Sequence, residues 1–383
     1  MKTTTGYIER IIQAKFIKKL IPNKVLVLLG ARRTGKTIFL KQVIQKLTEP
    51  YLILNGEDTD TLDLLNKRSV KNYKDLIGNN KILIIDEAQK IPEIGVKLKL
   101  MVDEIKGIKI IATGSSTFDL TNKLGEPLTG RQFLFHLFPI AQMELAQAET
   151  LVQTHASLED RLVYGSYPEL LHKTRKEDKR EYLKEIINSN LLKDLLMFEG
   201  IHNSGKLLDL LRLIAFQIGN EVSYQELGNQ LGVSKNTVER YLDLLSKVFI
   251  IFRVQGFSRN LRKEITKNSK WYFYDNGIRN ALIANYNSLI LRNDTGALWE
   301  NYLISERIKF QSYSGLAVNN YFWRTYQQQE IDWIEDRGGK LFAHELKWNK
   351  AKKAVPPKTW KEAYPKSKFM LINPDNYLDW IGG

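Results

Sequence analysis

The sequence predicts an α/β protein whose first part is built on a parallel β-sheet. The apolar run 25–29 has the length and composition of a buried parallel strand, and it stops at Gly30 before a helix expected over 38–47. A second predicted strand, which begins at Lys81 and is apolar over 82–85, ends in two adjacent carboxylates. Strands that alternate with helices in this way are typical of a parallel sheet, which binds its ligands at the carboxyl ends of the strands.

The residues between the first strand and its helix have the pattern of a phosphate-binding loop. An amphipathic lead-in helix is expected over residues 7–20, and the loop then reads G-x-x-x-x-G-K-T. Backbone N–H groups of such a loop and the positive end of the next helix hold a polyphosphate. Lys36 would reach the β and γ phosphates and Thr37 would ligate Mg²⁺. The residues expected to contact nucleotide are Gly30, Ala31, Arg32, Arg33, Thr34, Gly35, Lys36, Thr37 and Ile38. The alternative is an incidental glycine-rich turn.

The two carboxylates that end the second strand are the expected partners of this loop. Asp86 would hold Mg²⁺ through its waters, and Glu87 would polarise the attacking water. The alternative is a solvated strand end. The two acids follow a phosphate-binding loop by roughly 50 residues, and this combination favours the catalytic interpretation.

Two further features follow along the chain. The strand 108–112 ends in Thr-Gly-Ser-Ser, where a hydroxyl such as that of Ser115 would hydrogen-bond the γ-phosphate or the lytic water. Arg131, just before a strand over 132–138, would supply positive charge to the transition state, from its own subunit or across a subunit interface. A structural arginine that binds backbone carbonyls is the alternative for Arg131.

In that order the loop, the Asp-Glu strand, Thr-Gly-Ser-Ser, Leu-Thr-Gly-Arg and Leu-Phe-Pro-Ile resemble the ATPase half of a prokaryotic family in the AAA+ superfamily. The resemblance implies a parallel sheet of order 5-1-4-3-2, ATP as the ligand, Mg²⁺ as its metal, and the roles given above for Lys36, Thr37, Asp86 and Glu87. It assigns residues 1–145 to the ATPase domain. The C-terminal half of this family is a domain of unknown function, so the resemblance implies no client.

Length and composition limit the remaining possibilities. A chain of 383 residues predicts two or three domains, and the absence of cysteine excludes disulfides, thiolate nucleophiles and cysteine-ligated metals. No apolar run reaches the length of a membrane span and no signal-peptide core is present, so we expect a cytoplasmic protein without a membrane partner. A net charge of +14 favours phosphate-rich partners, although many lysines only solvate a surface.

Residues 146–293 are predicted to be a helical linker and a winged helix. The pattern is helical to about residue 203, with a break at 164–168 that resembles the Gly-Tyr-Pro turn of the family. Helices over 207–217, 224–231 and 235–248 form a helix-turn-helix, and strands over 249–254 and 271–274 alternate like a wing.

The winged helix predicts contact with double-stranded DNA. The third helix presents Lys235, Asn236 and Arg240, and the loop between the wing strands is basic. The wing residues expected at the phosphates are Arg259, Arg262 and Lys263, with Lys267 and Lys270 beside them. Winged helices also serve as protein-contact modules, which leaves a protein partner as the alternative.

Residues 294–383 are predicted to be an α/β domain with a charged centre. A helix over 297–310 carries Glu300, and two strands over 321–334 and 341–348 join at a Gly-Gly hairpin. The register of such a hairpin sets Asp332 opposite Glu345, and two like charges there require a cation between them. It also sets Glu330 opposite Lys347. After Pro357 one more helix and strand are expected to close the domain.

This arrangement resembles the PD-(D/E)XK, or restriction-endonuclease-like, fold. The resemblance implies that Asp332 and Glu345 bind Mg²⁺, with Glu300 and Lys347 assisting. The sequence departs from the pattern because isoleucine, not proline, precedes Asp332. A solvated charged face, or a degenerate nuclease fold that only makes contacts, is the alternative.

Together these features predict a Mg²⁺-dependent ATPase associated with DNA. In this hypothesis the nucleotide state controls the winged helix and the nuclease-like domain, and oligomers are possible. The two alternatives are a nucleotide-dependent switch that binds proteins without DNA, and a Mg²⁺-dependent DNA nuclease.

Overall fold

The computed structural model describes residues 7–115, 128–191, 204–258 and 269–382, which divide into two compact units. The first unit comprises Glu9–Phe138 with Lys247–Phe249. The second comprises Pro139–Ser246 and Ile250–Gly383 with Met1–Ile8. None of the helices in the described ranges is long and apolar enough to cross a membrane.

The first unit is a five-stranded parallel sheet in the order β2-β3-β4-β1-β5, which confirms the expected order 5-1-4-3-2. Its strands are β1 (Lys24–Leu29), β2 (Tyr51–Asn55), β3 (Ile82–Asp86), β4 (Lys109–Gly114) and β5 (Gln132–His136). Its helices are α1 (Ile12–Lys18), α2 (Lys36–Gln45), α3 (Thr59–Asn66), α4 (Val70–Ile77) and α5 (Ile94–Glu104).

The apolar strands explain why this sheet forms. Every residue of β1 from Val25 to Leu29 is fully buried, as is expected of a central strand covered on both faces. The edge strand β2 instead exposes Tyr51 and Ile53. The connecting helices begin at good caps: Asp58 accepts the amide of Asp60 at α3, and Ser69 accepts the amide of Asn72 at α4.

The helices of the second unit are mostly short. They are α6 (Gln142–Leu145), α7 (Leu151–Ala156), α8 (Leu158–Tyr164), α9 (Lys176–Glu185), α10 (Ser204–Phe216), α11 (Tyr224–Leu231), α12 (Lys235–Lys247, whose last residue falls in the first unit), α13 (Asn276–Leu282), α14 (Thr295–Ser314), α15 (Lys358–Ala363) and α16 (Tyr377–Ile381). Turns of 3₁₀ helix cover Ala88–Lys90 in the first unit and Pro168–His172 and Leu289–Leu291 in the second, and Ile186–Leu191 is a π-helix.

The sheet of the second unit has seven strands in the order β12-β11-β10-β9-β7-β8-β6. The strands are β6 (Glu221–Val222), β7 (Ile251–Gly256), β8 (Ser269–Phe273), β9 (Asn319–Arg324), β10 (Glu330–Arg337), β11 (Lys340–Leu346) and β12 (Lys368–Ile372). The pairs β7–β9 and β11–β12 are parallel and the others are antiparallel. The strands expected to form a wing, β7 and β8, therefore belong to the same sheet as the C-terminal strands.

The two helices of the predicted helix-turn-helix are α11 and α12. Ser223 caps α11 by accepting the amide of Glu226, and Ser234 accepts the amide of Thr237 at the start of α12. The turn passes close to α11, because a Cβ atom on Gly228 would lie 2.7 Å from the carbonyl oxygen of Val233. That close approach requires glycine at position 228, in the second turn of α11.

The expected strand over 321–334 was wrong in its extent. The chain reverses at 325–329, where Thr325 N–H donates to the carbonyl of Gln329 (2.9 Å) and Gln328 adopts φ 63°, so two antiparallel strands replace one. Tyr326 at the tip is 97% exposed. The hairpin that follows has the expected register, with Arg337 opposite Lys340 and both glycines at positive φ. Polar Thr-Tyr-Gln-Gln-Gln marks the turn, but it contains no Gly, Pro, Asn or Asp to signal it.

Candidate nucleotide site

The loop between β1 and α2 has the backbone that anion binding requires. Arg33 (φ 64°) and Gly35 (φ 92°) adopt left-handed conformations, an alternation that can turn successive N–H groups to one side of a loop. At the start of the loop a Cβ atom on Gly30 would lie 2.2 Å from the carbonyl oxygen of Leu137. Only glycine therefore fits where the loop leaves the sheet.

The side chain of Lys36 lies across this loop. It is 6% exposed, and its Nζ donates to the carbonyl oxygens of Gly30 (2.9 Å) and Ala31 (3.1 Å). Thr34 Oγ1 also donates to the Ala31 carbonyl (2.9 Å). The ammonium group is thus held within the concave side of the loop, where a phosphate oxygen can replace a carbonyl as its partner.

Arg10 supports the loop from the segment before α1, and it was not predicted from the sequence. It is 3% exposed, its Nη1 donates to the carbonyl of Thr34 (3.0 Å), and its Nη2 donates to the carbonyl of Phe138. Its spacing in the lead-in segment does not distinguish it from the exposed lysines nearby, so its burial depends on contacts far along the chain.

Two of the predicted magnesium ligands come together at the carboxyl ends of the strands. Thr37 Oγ1 lies 3.3 Å from Asp86 Oδ2, and Thr113 Oγ1 of β4 donates to Asp86 Oδ1. A hydroxyl and a carboxylate are the hard oxygen donors that Mg²⁺ prefers, and phosphate oxygens and water usually complete its shell. These residues therefore fit the ion, although no group of three or more His, Asp or Glu side chains in the described ranges forms a complete protein cage.

Glu87 has a tightly constrained backbone. Its φ is 50°, which is left-handed and uncommon for a residue with a side chain, and its N–H donates to Thr113 Oγ1 (3.1 Å) and Asp86 Oδ1 (3.2 Å). On the other side, a Cβ atom on Gly56 would lie 2.3 Å from the Glu87 carbonyl oxygen. Strained backbone held by its surroundings is often found at functional sites.

The predicted contact of Ser115 with phosphate or water remains a prediction. Ser115 is buried, and its Oγ accepts a hydrogen bond from Gln89 Nε2 (3.2 Å). The same nitrogen donates to Glu87 Oε2. Gln89 was not foreseen from the sequence, and the neighbouring hydroxyl of Ser116 lies outside the described residues.

Arg131 lies at the other end of the sheet from the loop. Its carbonyl accepts the amide of Val25 at the start of β1, whereas the loop follows the end of β1, roughly 16 Å away at the rise of a strand. Its Nε donates to Asp103 Oδ1 (2.6 Å) and its Nη1 to the Thr129 carbonyl (3.4 Å). A role at the loop of its own subunit does not fit this position, and these contacts suit a structural arginine. A role in a neighbouring subunit remains a prediction.

The predicted DNA-contacting residues are only partly within the described ranges. Lys235, Asn236 and Arg240 lie exposed on α12, where Glu239 and Asp243 are exposed as well. Arg259, Arg262, Lys263 and Lys267 lie outside the described residues. Lys270 was expected in a basic wing, and that was wrong: its side chain is 2% exposed and pairs with Glu330, and with Glu300 at 3.8 Å.

Asp332 and Glu345 both approach Lys347 in the charged centre of the C-terminal part. Lys347 Nζ lies 2.6 Å from Glu345 Oε1 and 3.6 Å from Asp332 Oδ2, and the Mg²⁺ expected at the two acids remains a prediction. Asp332 Oδ2 also accepts the amide of Leu346 (2.8 Å). The register of β10 and β11 runs from Arg337 opposite Lys340 to Trp333 opposite His344, so the expected position of Glu330 opposite Lys347 remains a prediction. The carboxylate of Glu330 pairs with the buried Lys270.

Glu300 lies in the same centre but does not complete a metal site. Its Oε1 accepts the hydroxyl of Tyr272 (2.7 Å), and no three carboxylates in the described ranges are grouped to hold a metal ion. Burial raises the pKa of Glu300 to about 7 and Lys270 opposes that rise, while burial and the charge of Asp332 raise the pKa of Glu345. The ligand set expected of Asp332, Glu345 and Glu300 therefore remains a prediction.

Comparisons with known proteins divide the chain into three segments. Residues 22–146 match the family model of an AAA domain, and residues 155–289 and 295–381 match two domains of unknown function, DUF8612 and DUF4143. The chain is 26% identical over 338 residues to the uncharacterized protein MJ1544 of Methanocaldococcus jannaschii, covering 82% of this chain and 73% of that protein. It is 26% identical over 332 residues to the uncharacterized protein Rv2008c of Mycobacterium tuberculosis, covering 84% and 70%.

A solved structure supports the same assignment of the fold. The Walker-type ATPase PABY2304 of Pyrococcus abyssi superposes with a TM-score of 0.50 at 17% identity, covering 74% of this chain and 98% of that one. With the family match over residues 22–146 and the sheet order, this shows that the first part of the chain has the fold of a P-loop ATPase domain.

Proposed function

We propose that this chain is a Mg²⁺-dependent ATPase that binds ATP at residues 30–37 and hydrolyses it with Glu87. The observation that carries the proposal is the 3.3 Å approach of Thr37 Oγ1 to Asp86 Oδ2, with Glu87 next in the chain. Two residues 49 positions apart, on different elements, meet where a nucleotide-bound metal would need them. The alternative, an incidental glycine-rich turn, does not account for this contact with a carboxylate at the end of β3.

Each residue has a separate task in this proposal. The loop amides and Lys36 bind the phosphates, and Thr37 and Asp86 orient the metal. When bound, Mg²⁺ neutralises charge on the β and γ phosphates. Glu87 accepts a proton from the attacking water, a role that general bases fill with a gain of about 10²–10⁴-fold in rate.

ATP turnover and ATP binding, measured separately, test the proposal. Lys36→Ala is expected to lose binding, while Glu87→Gln keeps binding and loses hydrolysis. Lys41→Ala is a matched control, because Lys41 is exposed on the same helix α2. The proposal fails if the wild type neither binds nor hydrolyses ATP, or if both variants behave like Lys41→Ala.

We further propose that the second unit binds double-stranded DNA through α12 and that nucleotide state controls this binding. The exposed Lys235, Asn236 and Arg240 and the net charge of +14 support it. DNA affinity should fall steeply with salt and should differ between a non-hydrolysable ATP analogue and ADP. Lys235→Ala with Arg240→Ala should weaken binding, and Lys352→Ala with Lys353→Ala, exposed elsewhere, should not.

Salt-insensitive capture of a protein, with no DNA binding, would favour the rival proposal of a nucleotide-dependent switch for protein partners.

Metal-dependent DNA cleavage is the lesser candidate for the C-terminal centre. The close approach of Asp332, Glu345 and Lys347 supports this candidate. Against it, Lys347 pairs with those two acids and Lys270 pairs with Glu330, so lysines already neutralise carboxylates of this centre. Supercoiled DNA incubated with Mg²⁺ or Mn²⁺ should be nicked by the wild type and spared by Asp332→Ala. If neither protein nicks DNA, this candidate is excluded.

A further inference from the structure

Gln89 occupies an unusual position beside the proposed general base. It lies in the 3₁₀ turn Ala88–Lys90 immediately after Glu87, and it is 4% exposed. Its Nε2 donates to both Glu87 Oε2 and Ser115 Oγ (3.2 Å). The orientation of the amide is fixed by chemistry, because an ionised carboxylate only accepts hydrogen bonds and so requires the nitrogen, not the oxygen, to face it.

The other polar atom of the Gln89 amide is its oxygen. Its Oε1 is buried and has no hydrogen-bond partner within the described residues. Buried acceptors are paired in most proteins, so a glutamine that leaves one unpaired is poorly suited to be a purely structural residue. The position is therefore better explained by what its nitrogen does for Glu87.

The remaining freedom of Glu87 lies in its side chain. Its backbone is held by Thr113, by Asp86 and by the close approach of Gly56. None of these contacts fixes the carboxylate, which could still rotate toward solvent. The bond from Gln89 connects the carboxylate to Ser115, the residue that follows β4.

We propose that Gln89 is the positioning residue of the ATPase site, with Ser115 as its second anchor: it holds the Glu87 carboxylate in the orientation from which it accepts the proton of the attacking water. This inference rests on the proposed ATP hydrolysis. It assigns Ser115 a supporting contact with Gln89 in place of direct contact with phosphate.

The chemistry of the step is a simple proton balance. The oxygen of water forms a bond to the γ-phosphorus while the bond to the bridging oxygen of ADP breaks, and one water proton passes to Glu87. Gln89 neither gains nor loses a proton. A misplaced Glu87 slows this step without altering how the loop binds ATP, because phosphate binding depends on residues 30–37.

A double-mutant cycle with Glu87→Gln tests the inference. The variants are Gln89→Met, Glu87→Gln and the double variant. Methionine keeps the length of the glutamine side chain and removes its hydrogen-bond donor. Variants that turn over slowly are measured by single-turnover hydrolysis of labelled ATP. Gln89→Met is expected to lower kcat at least tenfold, with KM, the dissociation constant of ATP and the midpoint of thermal unfolding unchanged. In the Glu87→Gln background it should have no further effect. Ser115→Ala should lower kcat in the same direction by less.

Each outcome separates this inference from the proposal beneath it. Gln45→Met, an exposed glutamine at the end of α2, is the matched control and should match the wild type. If the wild type hydrolyses ATP and Gln89→Met does so at the same rate, the positioning role is wrong and the ATPase stands. Equal losses in both backgrounds, or a loss of folding, would show that Gln89 acts independently of Glu87. A wild type that binds ATP without hydrolysing it overturns both.

Discussion

Replacing Gly56 with alanine tests whether the backbone of Glu87 governs hydrolysis. A Cβ atom at Gly56 would lie 2.3 Å from the carbonyl oxygen of Glu87 and 3.1 Å from its carbonyl carbon, whereas ordinary contacts begin at 3.4 Å. One of the two backbones must therefore move by about 1 Å. A displacement of that size at a reacting group costs on the order of 100-fold in rate. Neither close contact involves residues 30–37, so ATP binding should be retained.

The assay compares kcat with the dissociation constant of ATP for Gly56→Ala. We expect kcat to fall about 100-fold while affinity stays within about threefold, because both contacts closer than 3.4 Å are with Glu87 and the phosphate-binding residues 30–37 are not among them. Gly296→Ala is the control, since an added Cβ there meets no atom within 4 Å. Wild-type kcat in a folded Gly56→Ala protein would refute the reasoning, and so would an equal loss of ATP affinity and kcat.

Three further predictions concern charged groups that the fold has buried. Arg10→Met, which deletes the bonds to the Thr34 and Phe138 carbonyls, should weaken ATP binding about tenfold by calorimetry. The bond to Thr34 lies in the loop, and the loss of about 1.5 kcal/mol from one charge-assisted bond is about tenfold in affinity; unchanged affinity would contradict it. Lys270→Met should lower the free energy of unfolding by about 3–5 kcal/mol at neutral pH, because it removes the buried ammonium group that faces Glu330 and Glu300, and a neutral effect in urea titrations would show otherwise. Burial lowers the pKa of His344 to about 4, so the neutral ring is favoured in the fold and stability is present above about pH 6.5 and lost as pH falls toward 4. The unfolding free energy of the wild type relative to His344→Gln should drop by about 2 kcal/mol from pH 7 to pH 5, and a difference that does not depend on pH would exclude this.

The nucleotide loop and its partner strand could be predicted from the sequence because their requirements are local. A glycine is required where Gly30 meets the Leu137 carbonyl, and a lysine and a hydroxyl are required at the start of α2. The strands around them are apolar along their whole length, which is typical of parallel strands buried on both faces. The order of the strands is not local, and it was expected only through the family resemblance.

Residues whose roles depend on distant partners could not be predicted. Lys270 looked like one more cation of a basic loop, and only the sheet shows that it faces Glu330, 60 residues away. Arg10 reaches Thr34 and Phe138, which lie 24 and 128 residues along the chain. From the sequence alone, a polar residue in a helix or strand pattern is predicted to be exposed, because the buried partner that would predict otherwise is distant in the chain.

Buried lysines also change what the net charge says about DNA. The value of +14 counts Lys36, Lys270 and Lys309, whose side chains are buried, so the positive charge available to a phosphate backbone is smaller than the composition suggests. On α12 two cations, Lys235 and Arg240, stand beside two acids. Each phosphate contact contributes about −0.9 to the slope of log affinity against log salt, so α12 alone should give a slope of about −2. A slope near −4 or −5 would require the additional cations Arg259, Arg262 and Lys263, and removing those three should then return the slope to that of α12.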